Sequence, residues 1–275
     1  FAPDIVISTH YFGEAMISYY NKLKICNSKI ITVLTDYKYH KFWRVSHKKV
    51  DAFIVANDIV KRQMVDDGIN SKKIYPVGLP FNQNKLLNIK PKKDVIKQYK
   101  IDITKKTYVF FGGGSAGSMA YLKYFKSLAR KNYPINLIFV CGKNKELESH
   151  ARKFVSNNNF QNIIVTGFIK DVYSLLNVAD YVISKPGGAT VTECLIMKCP
   201  LICIPGVGGQ EKYNARFVTR KGYGLKTRGI LGLNYTVLKT IKNKSLYKRF
   251  KNKLSKVEPN NSLDEIIKIT NKLAK

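Results

Sequence analysis

Five short apolar runs, at 107–111, 136–141, 162–166, 181–184 and 201–205, recur in the second half of this chain, each the length of a strand. They scarcely alternate with polar residues, which is the pattern of strands buried on both faces, and such strands belong to parallel sheets whose crossovers are helices. Helical stretches separate the runs, so this half reads as a complete doubly wound α/β domain. Three further runs, at 4–8, 30–35 and 52–56, come with helical patterns at 14–23 and 58–67. Three strands and two helices are too few to cover both faces of a parallel sheet, so the first half reads as an incomplete unit of the same kind.

Between the halves, residues 77–106 are loop-like and basic, with Pro80 and Pro91 and only a short helix near 94–99. The expected organisation is a partial Rossmann-like domain at 1–85, a complete one at 86–256, and a C-terminal helix within 257–275 that packs back on the first domain. Ser262-Leu-Asp-Glu265 has the spacing of a capping box opening that helix at 263–273. The chain starts with Phe1 and enters a strand-like run at once, with no charged leader or cleavage site, and so reads as a sequence whose beginning lies further upstream.

Hydrophobic residues make up 45% of the 275, enough for real cores, and no apolar run approaches the roughly 18 residues of a spanning helix. Forty-eight Lys and Arg against 18 Asp and Glu give +30, which attracts polyanions of any kind. Only eight of these cations are Arg, whose fork reads bases. Diffuse Lys suits a charged surface, so the balance tilts to an anionic membrane surface and away from specific nucleic-acid binding. A solvated surface of biased composition explains the count equally well. Cys26, Cys141, Cys194, Cys199 and Cys203 are odd in number and lack paired C-x-x-C spacing, the usage of reduced, buried thiols in a cytosolic protein. No carboxylate cluster has metal spacing, so no metal is expected.

Three segments carry chemistry. After the strand at 107–111, Gly112, Gly114 and Gly117 satisfy G-x-G-x-x-G ahead of a helix expected from Met119, a turn that lets a diphosphate approach the backbone. A tight turn with no ligand is the competing reading. A nicotinamide dinucleotide also needs an acid at the end of the next strand, but that strand ends Cys141-Gly142-Lys143-Asn144, with Glu146 and Glu148 too far along. SKPGGATVTE at 184–193 is a second cradle, with Glu193 three residues after Thr190, close enough to accept from both hydroxyls of a ribose. Its competing reading is a capping box, Thr190-x-x-Glu193. PGVGGQEKYNA at 205–215 then sets Gln210, Glu211 and Asn214 at the carboxyl end of the fifth strand, an amide and acid cluster suited to sugar hydroxyls.

SKPGGATVTE and CPLICIPGVGGQEKYNA, with VLTDYKYHKFW, VCGKN and VTGFIKD upstream, resemble the monogalactosyldiacylglycerol synthases and bacterial processive diacylglycerol glucosyltransferases. The likeness covers nearly the whole chain, in order. It implies a GT-B fold, two Rossmann-like domains facing a cleft with the first one incomplete, and an inverting, peripheral membrane enzyme at the cytoplasmic face. More distantly the chain is similar to the N-acetylglucosaminyltransferase that forms lipid II.

By that resemblance Glu193 holds the uridine ribose and Gly187, Gly188 and Thr190 the diphosphate, while Gln210, Glu211 and Asn214 contact the donor sugar. The loop glycine Gly209 precedes them, and Lys185 helps stabilise the departing UDP. Phe168 borders the uracil through its backbone, with core packing as the competing reading, and Gly113, Gly114 and Ser115 line the cleft. His10, Asp36 and His40 match positions on the acceptor side; Trp43 reads as core. The family's general base lies near its N-terminus, upstream of Phe1, so no base is named in this chain. The implied reaction moves a hexose from UDP-glucose or UDP-galactose to the hydroxyl of diacylglycerol, with no cofactor beyond the donor substrate. Two alternatives stay open: transfer of N-acetylglucosamine to a polyprenyl-linked cell-wall precursor, and a non-catalytic basic protein that binds membrane or nucleic acid.

Overall fold

The computed structural model describes residues 3–206, 209–258 and 261–274. These divide into two compact units, one formed by residues 1–81 together with 259–275 and the other by residues 82–258.

In the first unit four parallel strands, β1 (Ile5–Ser8), β2 (Lys29–Val33), β3 (Ala52–Ile54) and β4 (Ile74–Tyr75), lie side by side in chain order. Helix α1 (Tyr11–Lys22) crosses from β1 to β2 and α2 (Asp58–Asp66) from β3 to β4. The Asn57 side chain caps α2 by accepting from the N–H groups of Ile59 and Val60. Ile30, Leu34, Phe53, Val55, Val60 and Met64 form the core on one face, and Trp43 joins them, as the sequence suggested.

The second unit begins with two short helices, α3 (Asn84–Leu87) and α4 (Lys92–Gln98). Its strands are β5 (Lys106–Phe111), β6 (Ile135–Val140), β7 (Ile163–Thr166), β8 (Tyr181–Ser184), β9 (Leu201–Cys203) and β10 (Gly224–Lys226). They pair in parallel in the order β10-β9-β8-β5-β6-β7. Helices α5 (Leu122–Ala129), α6 (Lys145–Asn157), α7 (Val172–Val178), α8 (Gly188–Ile196) and α9 (Gly209–Lys221) connect successive strands. After β10, α10 (Gly229–Lys242) and α11 (Lys244–Ser255) complete the layers. The chain winds outward from β5 through β6 to β7, then returns to β8 on the other side of β5. The junction of β5 and β8 is therefore the topological switch point, where two turns diverge and leave a crevice at the strands' carboxyl ends.

The last helix, α12 (Ser262–Leu273), belongs to the first unit: Ile266 and Ile269 pack on Ile31, Val33, Ala52 and Ile54, the sheet face that α1 does not cover. The expected capping box is absent. Ser262 is the first helical residue, the Asn261 side chain caps nothing, and the Ser262 hydroxyl donates instead to the carbonyl of Leu79. Of the cysteines, all free, Cys141, Cys194, Cys199 and Cys203 are buried as expected, and burial pushes the Cys141 and Cys199 thiols up to about 12. Cys26 departs from the expectation and is only partly buried.

Candidate functional site

Both glycine turns flank the switch point. The one after β5 turns through Gly113, Gly114 and Gly117, with φ of +110°, +76° and +73°. A Cβ on Gly117 would collide with the carbonyl oxygen of Cys141, and one on Gly142 would stand 2.6 Å from that of Ser115, so the loops after β5 and β6 meet backbone to backbone. The Lys143 N–H donates to the Ser115 carbonyl at 2.8 Å. The helix expected from Met119 is instead a single 3-10 turn, Met119–Tyr121, capped by Ser118, and α5 starts only at Leu122. This turn therefore lacks an α-helix N-terminus immediately behind it. At its tip Ser115 is exposed, and a Cβ on Gly114 would meet nothing nearer than Lys185 Cε, at 4.0 Å.

After β8 the chain passes Lys185 and Pro186 and enters α8 with Gly187 at the N-cap. Glycine has no side chain to accept from the first helical N–H groups, and the first turn holds no acid, so that end of the helix presents its donors and positive dipole unopposed. A Cβ on Gly187 would find nothing within 4 Å. Gly188 is the buried first helical residue and Thr190 lies two further on. Since Thr190 is inside the helix, it cannot serve as an N-cap, and the capping-box reading of Thr190-x-x-Glu193 is overturned.

Glu193 stands on the second turn of α8. Burial raises its carboxyl above the ordinary range, opposed by the charge of Lys85. Among the described residues none donates a hydrogen bond to it. A partly buried carboxylate short of donors, one turn behind an open helix N-terminus, is a strong acceptor for a pair of hydroxyls.

The third segment follows β9. Val207 and Gly208 of its motif lie outside the described residues; Gly209 opens α9. Gln210 is exposed and Glu211 partly buried, whereas Asn214 is fully enclosed, so of the three residues expected at a sugar Asn214 is not accessible to one. Glu211 reaches back across the sheet end to Lys185, Oε1 to Nζ 2.7 Å. This link joins segments 26 residues apart in sequence.

Phe168, in the loop after β7, is 52% exposed, with Lys143 Nζ 5.4 Å from its ring centre, which removes the core-packing reading. It borders a cavity of about 300 Å³ shared with Tyr99, Thr166, Lys170 and Asp171. The preceding Gly167 leaves room for Glu148, whose Oε2 would stand 2.6 Å from a Cβ there. Glu148 is held by Arg152 at 2.8 Å and Lys145 at 3.3 Å, and hydrogen bonding from Arg152 chiefly lowers its pKa.

In the first unit His10 and His40 both act as helix caps. Nδ1 of His10 accepts from Phe12 N–H at 3.3 Å, and Nδ1 of His40 from Phe42 N–H at 3.4 Å. Asp36 lies partly buried in the loop between β2 and the 3-10 turn Lys41–Arg44. The sequence reading missed Glu14, which is fully buried on α1. Its Oε2 accepts from the Thr32 hydroxyl at 3.0 Å, and Oε1 has no hydrogen-bond partner among the described residues. Desolvation pushes its carboxyl up to about 7, against the hydrogen bonds from Thr32 and the Ser46 backbone. Among the described residues no three His, Cys, Asp or Glu are grouped so as to hold a metal ion.

Residues 1–81 match the family described as monogalactosyldiacylglycerol (MGDG) synthase, and residues 108–265 match the glycosyltransferase family 28 C-terminal domain. A processive diacylglycerol beta-glucosyltransferase of Bacillus cereus (strain 03BB102) is 33% identical over 230 residues, covering 82% of this chain and 56% of that protein. One of Bacillus anthracis (strain A0248) matches to the same extent. The chain thus spans little more than half the length of these curated relatives. Among solved structures, Acinetobacter baumannii MurG is similar with a TM-score of 0.71 at 15% identity, over 98% of this chain and 74% of that one. UDP-GlcNAc 2-epimerase from Neisseria meningitidis bound to UDP-GlcNAc gives 0.72 at 12%, over 98% and 76%. At such identities the likeness shows the fold, which is of the GT-B class.

Proposed function

Since the chain belongs to glycosyltransferase family 28 through its C-terminal domain, we propose that it moves a hexose from a UDP-sugar to the free hydroxyl of diacylglycerol at a membrane surface, inverting the anomeric carbon. The observation that carries this reading is Glu193, a partly buried carboxylate short of donors, one turn behind the uncapped start of α8 at the switch point. In this reading its oxygens accept the two ribose hydroxyls, and the N–H groups following Gly187, with Gly188 and Thr190, receive the diphosphate. The phosphate charge that grows as the glycosidic bond breaks is stabilised by those donors, the helix dipole and Lys185. Phe168 and its cavity suit the uracil. Gln210 and Glu211 face the sugar, and Gly113, Gly114 and Ser115 complete the rim after β5.

The activity named for the relatives favours diacylglycerol as acceptor and glucose as the sugar, with galactose retained by the match of residues 1–81. This reading puts the protein at the cytoplasmic face; peripheral docking on a membrane surface is supported by the apolar outer side of α1 and the lysines beside it, and no helix among the described residues is long and apolar enough to cross a membrane. Transfer to a polyprenyl-linked precursor has the shared fold behind it and no observation of its own.

Calorimetric titration of UDP into the folded protein tests the donor site. The expected result is saturable binding that Glu193→Ala weakens about tenfold or more. Because burial raises the Glu193 carboxyl, UDP affinity should decline on acidification at a pH above the ordinary carboxylate range, and Glu193→Gln should lose that dependence. A folded chain that ignores UDP yet binds DNA with steep salt dependence would return the reading to a basic binding protein. Vesicles of diacylglycerol offered UDP-glucose, UDP-galactose or UDP-N-acetylglucosamine then separate the donors.

A further inference from the structure

Lys185 and Glu211 hold one another where the three loops of the switch point converge. The Lys185 stem passes the turn after β5, with Cε 4.0 Å from the place a Gly114 Cβ would take, and its ammonium meets Glu211 Oε1 at 2.7 Å. The Glu211 side chain is 13% exposed and that of Lys185 34%. Glu211 Oε2 is shut off from solvent and has no hydrogen-bond partner among the described residues; it lies against Gly206, where any Cβ would overlap it. Gly206 thus leaves the space that the carboxylate occupies, and one carboxylate oxygen is left short of a donor. Lys185 is two residues before the Gly187 cap, at the helix end whose donors are open.

We propose that this ion pair is exchanged when the donor binds, and that Glu211 thereby selects a neutral, hydroxyl-bearing sugar against an acidic one. The inference rests on the donor-site reading above and goes beyond it. A diphosphate at the start of α8 competes with Glu211 for the ammonium, because both are anions within reach of one cation. Once Lys185 turns to phosphate, the carboxylate loses its counter-charge in a largely enclosed place and needs O–H donors in compensation. A hexose hydroxyl supplies them. A hexuronate brings a second carboxylate to the same spot and meets repulsion. UDP without a sugar opens the pair and leaves Glu211 uncompensated, so the pair opposes UDP alone more than it opposes a UDP-hexose.

Unequal shifts follow for UDP and UDP-glucose, which a purely structural ion pair would not give. Calorimetry with UDP, UDP-glucose and UDP-glucuronate on the wild type, Glu211→Gln and Lys185→Met reads them directly. The wild type should prefer UDP-glucose to UDP-glucuronate by about tenfold or more. Glu211→Gln frees Lys185, so UDP should bind more tightly, while the preference for UDP-glucose over UDP and over UDP-glucuronate shrinks. Lys185→Met should weaken UDP and keep the preference for glucose over glucuronate. It replaces the more exposed partner, and so carries the test if Glu211→Gln does not fold. A shift of UDP and UDP-glucose in the same direction and by the same factor in Glu211→Gln overturns the exchange and leaves the donor site standing. Equal affinity of the wild type for UDP-glucose and UDP-glucuronate also overturns it. Failure of the wild type to bind UDP at all removes the donor site and this inference together.

Discussion

The Ser262 hydroxyl donates to the main-chain carbonyl of Leu79 at 3.0 Å, tying α12 to a point 183 residues earlier in the chain. Ser262 is fully buried, and Leu79 is nearly so. Glu265, its expected partner in a capping box, is exposed and pairs with Lys268 at 2.8 Å. Ser262→Ala should therefore cost about 1–3 kcal/mol by leaving a buried carbonyl without its donor, while Glu265→Ala stays within about 0.5 kcal/mol. Trp43 is the chain's single tryptophan and lies in the first unit's core, so its fluorescence in urea reports the relevant unfolding. Equal losses in the two variants would restore the capping box.

Two glycines of the switch point should respond in contrasting ways. Gly117 is left-handed at φ +73° and backs directly onto the Cys141 carbonyl, so Gly117→Ala meets strain and a backbone clash together. A loss of several kcal/mol in the second unit is expected. Gly187 has extended geometry at φ −65° with nothing within 4 Å of its Cβ position. Gly187→Ala should leave stability within about 0.5 kcal/mol and still weaken UDP, because the new methyl occupies the approach to the α8 N–H groups. Circular-dichroism melts set beside UDP titrations distinguish the two effects.

The glycine turns were legible in the sequence because each is a local device: a buried strand, a glycine, then a helix. What depended on distant pairing was not. β4 is two residues long and β10 three; each is a strand only because β3 or β9 lies alongside, and Gly224 is required by the close approach of the Leu201 carbonyl. Thr190-x-x-Glu193 and Ser262-x-x-Glu265 both have capping-box spacing, yet in both helices the chain turns before the Thr or Ser, and only the backbone reveals that. Glu14 was passed over since an acid in an amphipathic pattern normally marks the solvent face. The one available signal was its spacing from Ser18, four residues on, which puts the two polar groups on the buried side of α1.

That buried acid makes the first unit's stability depend on pH. The Glu14 carboxyl is pushed up to about 7 in the folded chain from an ordinary 4.5. Above 4.5 the unfolded chain releases this proton while the folded one keeps it, so the contribution is whole below pH 4.5 and is lost as pH rises to about 7. The shift corresponds to roughly 3 kcal/mol. Urea unfolding followed by Trp43 should show a midpoint that falls between pH 5 and pH 8, and Glu14→Gln should flatten that fall. A slope unchanged by the substitution would assign the pH dependence to other groups.

On the opposite side of α1 the outward stripe is apolar. Phe12, Met16, Tyr19 and Leu23 follow at spacings of four, three and four residues, and each is about half exposed or more. At about 100° per residue they line the helix face turned away from Glu14 and Ser18. Tyr11 continues the stripe to Phe42, ring centres 5.3 Å apart, and Val45 beyond is 74% exposed. Lys22, Lys24, Lys41 and Arg44 are exposed beside it, while the nearest acid on the helix, Glu14, is buried. An apolar stripe flanked by cations is the composition of an interfacial helix, each cation contributing about 1 kcal/mol towards anionic lipid. Co-sedimentation should therefore be stronger with vesicles containing phosphatidylglycerol than with phosphatidylcholine alone. Replacing Phe12, Met16 and Tyr19 together by Ser should reduce binding about tenfold or more, whereas Leu231→Ser with Tyr235→Ser, even more exposed on α10, should leave it unchanged. Equal losses from the two sets would attribute membrane affinity to the overall charge of +30 and not to this face.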